Sequence, residues 1–353
     1  MSMRIAMLLP LLVSGVFCLS GSRLGRWMPP ASAVRLLTMA AVVTALTTGF
    51  VLAVAAFEVL AGIPAVATLG HWSVRIVSSG DPVPAGAGLL AGVTVLVLLA
   101  SSLRRFAVAG RDLVAAAAVC RRLGPGTDGL IVVDDEEPDA YAVPGLTGRI
   151  VVSTAMLAAL PARERRVLLA HEAAHLRHHH HLYVQLAELG AAANPLLRPL
   201  AAAVRLGAER WADEDAASEV GDRTVAAQAV ARAGLAVGTA ARTRPTAPHG
   251  ALAAGGSDVA HRARALLAAE PPRRRWLAVA VAATVFIPVA AATATAHVTE
   301  HRFELAQASF SMDRLVTAHR LPPVWCARPG LRPSRCGAGL YRDVSSFSSA
   351  TSR

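Results

Sequence analysis

Residues 171–175 read His171-Glu172-Ala173-Ala174-His175, an H-E-x-x-H motif inside an alanine- and leucine-rich stretch. On a helix, positions four apart share a face, so His171 and His175 direct two imidazoles at one point. Glu172 sits beside the first of them, where a carboxylate can meet a water held by a metal ion. This is how a helix holds zinc for peptide hydrolysis. A catalytic zinc takes three protein ligands and keeps a fourth position for water. The candidate third ligand is Glu209, in the sequence Glu209-Arg210-Trp211-Ala212-Asp213. Asp213 lies one helical turn beyond Glu209 on the same face, placed to accept a hydrogen bond from a ligand imidazole. The expected chemistry uses one zinc ion per chain, His171, His175 and Glu209 as its ligands, and Glu172 as general base.

Several elements must position these groups. Residues 130–133 and 149–153 are β-branched runs and read as strands, with 140–143 as a partner and Pro144-Gly145 as a turn. The 149–153 strand, just before the metal helix, is the one expected to take substrate as an added strand. Pro161 marks the start of the metal helix, expected over residues 162–181. On that helix His178 and His179 fall near the His175 face, while His180 and His181 turn away. The four are read mainly as a polar helix end. A second helix, over 197–220, carries Glu209. Residues 239–258, rich in Gly, Pro, Thr and Ala, read as a loop, with helix resuming from Asp258. The acidic run Asp134 to Glu137 reads as a solvated loop.

The chain has 353 residues and is 54% hydrophobic, more apolar than an ordinary soluble domain of this size. Four apolar runs account for the excess, at about 3–21, 34–62, 85–103 and 276–297. All 35 cationic side chains are arginine, and they cluster beside these runs. That placement points to membrane topology and not to nucleic acid. Arg23, Arg26 and Arg35 make the first run a retained span and not a signal peptide. Arg104-Arg105 and Arg273-Arg274-Arg275 put residues 104–275 on the cytoplasmic side. The tail 298–353 then lies outside, where Cys326 and Cys336 are expected to form a disulfide. Residues 182–205 are apolar but hold Glu188, Arg198 and Arg205. They are expected to form a wall of the catalytic domain that touches the bilayer surface. The fold class is therefore mainly α: a multi-span membrane protein with a cytoplasmic α+β zinc-protease domain and a small sheet.

Leu168 to His175 (L-L-A-H-E-A-A-H), the Asn194-Pro195-Leu196 triplet and Glu209 to Asp213 together resemble the BlaR/MecR-type membrane metallopeptidases. These are gluzincins related to the HtpX and CaaX-prenyl protease group. The order of three spans, a protease domain, one span and an outer tail is similar too. The resemblance implies His171, His175 and Glu209 as zinc ligands, Glu172 as base and Asp213 as support. It further implies a protein substrate inside the cell, with a transcriptional repressor as one candidate. The familiar β-lactam sensors of this family carry a large penicillin-binding domain after the last span. Residues 298–353 are too few for one, and a chain without lysine holds no S-x-x-K acylation motif. Two other readings stand beside this one: a quality-control protease of the HtpX type, and a catalytically silent membrane receptor.

Overall fold

A computed structural model describes residues 3–79, 83–123, 129–145, 148–242, 249–268 and 274–320. Within them lie α1 (Met3–Trp27), α2 (Pro30–Ala61), α3 (Pro64–Gly70), α4 (Val74–Val77) and α5 (Ala85–Leu123). Strands β1 (Leu130–Val133), β2 (Ala140–Val143) and β3 (Arg149–Ser153) follow. Then come α6 (Thr154–Ala159), α7 (Ala162–Arg177), α8 (His180–Ala193), a 3-10 turn (Pro195–Leu197), α9 (Arg198–Val220), α10 (Arg223–Arg242), α11 (His249–Leu267) and α12 (Arg275–Arg320).

Four helices are long and apolar enough to cross a membrane: Ile5–Trp27, Pro30–Ala61, Ala85–Val119 and Arg275–Leu315. They coincide with the four apolar runs. Three helices outlast their runs: α1 continues to Trp27, α5 beyond Leu103 to Leu123, and α12 beyond His297 to Arg320. The tail expected from Val298 thus begins as helix. Cys326 and Cys336 lie outside the described residues.

The chain divides into two units. The smaller, 61–80 with 300–353, contains α3, α4 and the end of α12. Ala61, Val77 and Ala306 pack there with Trp72 and Phe303. The Trp72 indole donates to the Ala61 carbonyl at 3.0 Å. The larger unit holds everything else, including the sheet and the H-E-x-x-H helix.

In the larger unit the sheet has the order β1-β3-β2, with β1 parallel and β2 antiparallel to β3. The three strands occupy the residues expected of them. Their pairing does not match the expectation for substrate. β3 is the central strand, its backbone hydrogen bonds used on both sides, and cannot accept an added strand. The strands with an unpaired side among the described residues are β1 and β2, and of these β2 lines the cleft beside the histidines.

The loop expected over 239–258 is also corrected. α10 runs to Arg242 and α11 begins at His249, and only 243–248 fall outside the described residues. Small residues let these two helices pack closely. A Cβ at Gly234 would lie 2.6 Å from a Val259 methyl, so the side-chain-free position is filled by its neighbour.

The main core joins α1 and α2 to the hairpin of α8 and α9. Phe17, Met28, Leu37, Leu197, Leu200 and Val204 are fully buried there. Close approach depends on glycine and alanine. Cβ atoms built at Gly25 and Gly21 would come within 2.9 Å of the Ala203 Cβ and 3.1 Å of the Leu200 backbone nitrogen. Residues 182–205, expected to form an outer wall of the catalytic domain, therefore pack directly against the two apolar helices α1 and α2. At the hairpin tip the buried Asn194 amide donates to Ser14 Oγ at 2.7 Å and Thr48 Oγ1 at 3.4 Å, in the apolar lengths of α1 and α2. A buried amide is costly unless its donors find acceptors, and these two hydroxyls supply them.

Gly25→Leu places four carbons where only hydrogen fits. It is expected to destabilise the α1–α9 packing by about 1–3 kcal/mol, seen as a lower unfolding midpoint of the detergent-purified protein than that of Gly15→Leu, whose position is open.

Candidate metal centre

α7 begins after Pro161, which acts as its N-cap, and buries Val167, Ala170, His171, Glu172 and Ala174. That face meets α9 and α10 through Ala216, Ala226 and Ala229. Small residues on both sides bring the helices close enough for short side chains to meet. The His171 and His175 Nε2 atoms lie 3.1 Å apart. Glu209 from α9 stands 3.6 Å from each of them, one carboxylate oxygen per imidazole. One ligating atom from each of His171, His175 and Glu209 falls within 4.8 Å of the others. The sequence brings together the two histidines and the glutamate it pointed to.

Asp213 is where the one-turn spacing puts it. Its Oδ1 lies 3.0 Å from His171 Nδ1, and its side chain is 2% exposed. Its second partner was not foreseen. Arg262, on α11, grips Asp213 with two nitrogens at 2.8 and 2.7 Å. A third nitrogen reaches Glu209 Oε2 at 2.8 Å. This guanidinium lies in a stretch where sequence gave no site motif. The signal that was available is the pair of carboxylates itself, one turn apart on one helix face, with the buried Asp213 in need of a cation.

The histidine run after the motif breaks the expected helix. α7 ends at Arg177, and His179 takes a left-handed conformation with φ 51° before α8 starts. The turn reverses the expected facing. His180, predicted to point away, is 1% exposed and sets its Nδ1 3.1 Å from His175 Nδ1. His178 instead bonds Asp215 at 2.6 Å and stacks on Trp211 at 4.3 Å between ring centres. Arg35 of α2 also lies over the Trp211 ring, at 4.7 Å from its centre.

The surroundings of the two imidazoles favour different charge states. Burial opposes charge on His171, but hydrogen bonds to Asp213 and Glu209 outweigh it and push the imidazole up to about 10. Burial also opposes ionisation of Glu209, yet the His171 bond and the Arg262 charge hold its carboxyl below the ordinary range. His175 has no such carboxylate bond, and burial with the His171 charge lowers it to about 4. Burial and the neighbouring His175 and His178 lower His180 to about 3, which keeps it neutral. With His175 as the donor in its Nδ1 contact with His180, the His175 Nε2 carries the lone pair that a metal needs. Asp213 holds the Nδ1 side of His171, so Nε2 is the atom left to meet an ion once its proton is lost. Both Nε2 atoms thus converge with a carboxylate oxygen, a nitrogen–nitrogen–oxygen set that suits zinc.

Glu172 is 8% exposed, and burial pushes its carboxyl up to about 7. It accepts a hydrogen bond from the Ala142 backbone N–H of β2. A cleft of about 1000 Å³ opens over the group, with Ala140, Tyr141 and Ala142 on one wall and Val230, Gly234 and Val259 on the other.

Residues 111–231 match the model of peptidase family M48. The matched stretch takes in the sheet, His171, Glu172, His175, Glu209 and Asp213. Its likeness is to a metallopeptidase. The match stops before Arg262. Comparison with curated proteins gives no match, nor does comparison with solved structures.

Two outcomes test the geometry. His180→Ala removes the acceptor for His175 Nδ1 and is expected to weaken zinc binding roughly 10–100-fold in a chelator-competition titration. Arg262→Gln leaves Asp213 and Glu209 without their cation and is expected to cost about 3–5 kcal/mol in denaturant unfolding of the metal-free protein.

Proposed function

We propose that this chain is an integral membrane zinc endopeptidase that cuts a protein substrate on the cytoplasmic side. The observation that carries the reading is the convergence of His171, His175 and Glu209 beside a buried Glu172, within the stretch similar to M48 peptidases. Four helices of spanning length support the membrane location. Arginines at 23, 26, 35 and 104–105 and at 273–275 support the cytoplasmic orientation. His171, His175 and Glu209 would hold the ion.

Zinc supplies a Lewis acid that acidifies water and polarises a carbonyl. The remaining work belongs to the chain. Glu172 takes a proton from the attacking water and passes it to the leaving amine. Its raised pKa brings it near the range in which a carboxyl can both accept and return a proton at neutral pH. Asp213 and His180 hold the two imidazoles in the tautomers that present Nε2. Arg262 holds Asp213 and Glu209 ionised.

Substrate is expected along β2. The antiparallel register pairs Tyr141 with Val151, and the neighbouring Asp139 carbonyl accepts from the Ser153 N–H. By the alternation of an antiparallel ladder, Ala140 and Ala142 turn their backbone groups to the opposite side, toward the cleft. An extended peptide can add there as a strand, its backbone beside Glu172. The order of three spanning helices, catalytic domain and fourth helix supports a signal-transducing role, with a transcriptional repressor as substrate class. The complete set of ligands and base argues against a silent receptor.

The deciding experiment compares wild type with Glu172→Gln. Both are expected to retain one zinc per chain by metal analysis, with peptide-bond cleavage reduced about 10²–10⁴-fold in the variant. Equal cleavage by the two proteins, or no zinc in either, would sink the assignment.

A further inference from the structure

A second cleft, of about 680 Å³, lies between α5 and the α8–α9 hairpin and shares Arg205 with the lining of the first. Arg104 and Arg105 of α5 face Arg198 and Arg205 of α9 across it, with Asp112 and Glu188 as the acidic lining residues. Glu188 is taken by Arg205, at 2.6 Å. The cleft therefore presents an excess of guanidinium, the group best suited to a phosphate.

Its position narrows the source of that phosphate. The α9 segment bearing Arg205 packs beside the arginine-bearing ends of α1 and α2: Gly25 against Ala203, Gly21 against Leu200, and Gly207 against Val34. Arg23, Arg26 and Arg35 thus share a level with the cleft. On one side of that level the helices are apolar. Ser14, which receives the hairpin tip, lies nine residues inside Arg23, about 14 Å along the helix at 1.5 Å per residue. The cleft opens where apolar surface gives way to charge, the level of lipid phosphates.

The face of α5 that lines the cleft also continues into the apolar part. Ser101, Arg104, Arg105, Val108 and Asp112 follow helical spacing. The same stripe, extended backwards, runs through Val97, Val93 and Leu90, exposed at 61, 59 and 68%. A cationic cleft with an apolar track leading from it suits a molecule with a phosphate and an acyl chain. A free phosphate would use only the first of these.

We propose that this cleft binds the phosphate headgroup of an anionic glycerophospholipid, with an acyl chain along Val97, Val93 and Leu90. The proposal rests on the membrane-spanning reading of the four helices. The bound lipid would brace α5 against the hairpin whose second helix carries Glu209.

The test uses the full chain in detergent micelles. Native mass spectrometry with equal phosphatidylglycerol and phosphatidylcholine is expected to show the anionic lipid enriched. Arg104→Gln with Arg198→Gln is expected to lower that enrichment roughly tenfold, while Arg163→Gln, on the exposed surface of α7, leaves it unchanged. A diazirine-bearing phosphatidylglycerol should label wild-type peptides from residues 90–112 and 188–205, which decides the matter should the double variant misfold. Undiminished enrichment in a folded double variant, labelling confined to other peptides, or full displacement by millimolar inorganic phosphate would each overturn the lipid site while leaving the protease reading intact. Recovery of the chain in the soluble fraction after an alkaline carbonate wash would instead overturn the membrane reading, and the lipid site with it.

Discussion

The structure depends on one buried carboxylate. Asp213 has almost no access to water, so its charge must be met by protein. It is met from two directions, by the His171 ring on α7 and by the Arg262 guanidinium on α11. Three helices that are distant in sequence are thereby held at one point. The same contacts set the chemistry. Asp213 holds His171 by Nδ1 and leaves Nε2 for an ion. Arg262 spans Asp213 and Glu209, so the two acids one turn apart on α9 do not repel each other apart. Removing either partner leaves a buried charge without compensation.

α9 carries this arrangement on one face and the main core on another. Leu200, Val204 and Ala208 pack against α1 and α2, while Glu209 and Asp213 face the histidines. Trp211 joins the two sides, with Arg35 over one contact and His178 stacked on another. The position of Glu209 is therefore tied to the apolar helices through a single rigid element. Small residues make this possible. Gly21, Gly25 and Gly207 let backbones approach to distances that a side chain would block, so α9 is fixed by shape as well as by apolar burial.

Local pattern carried much of this into the sequence. The three strands and the four apolar helices stand where alternation and hydropathy put them, because both signals are confined to a few consecutive residues. His171, His175, Glu209 and Asp213 were legible because helical spacing converts sequence into facing. What failed was long-range or irregular. Strand order is a tertiary fact, so nothing in residues 149–153 showed that β3 would be central, with β1 and β2 as the edges. The left-handed turn at His179 inverted the facing of His180, since a periodic reading assumes an unbroken helix. Arg262 arrives from α11, and part of that helix was read as a loop because Gly and Pro near residue 250 mask its periodicity. Residues 182–205 were ambiguous because Pro195, next to Asn194, and the charged Glu188, Arg198 and Arg205 interrupt an otherwise apolar stretch. Their partners, Ser14 and Thr48 for the amide and Arg205 for Glu188, are visible only in three dimensions.

The edge strand and the base are one device in the proposed reaction. The Ala142 N–H donates to the Glu172 carboxyl, so a group on the free side of β2 is spent on positioning the base. This bond lowers the Glu172 pKa, whereas burial raises it more strongly, and the carboxyl settles near 7. A peptide added along β2 would meet the cleft-facing groups of Ala140 and the Ala142 carbonyl and lie directly beside the Glu172 carboxyl. Backbone pairing would then fix which peptide bond faces Glu172, independently of side-chain identity. Selection among substrates would fall to the apolar wall of α10 and α11 across the cleft, where Val230, Gly234 and Val259 leave room for side chains. α11 also supplies Arg262, so the helix that would sense substrate side chains is the one that holds Asp213 and Glu209 in place.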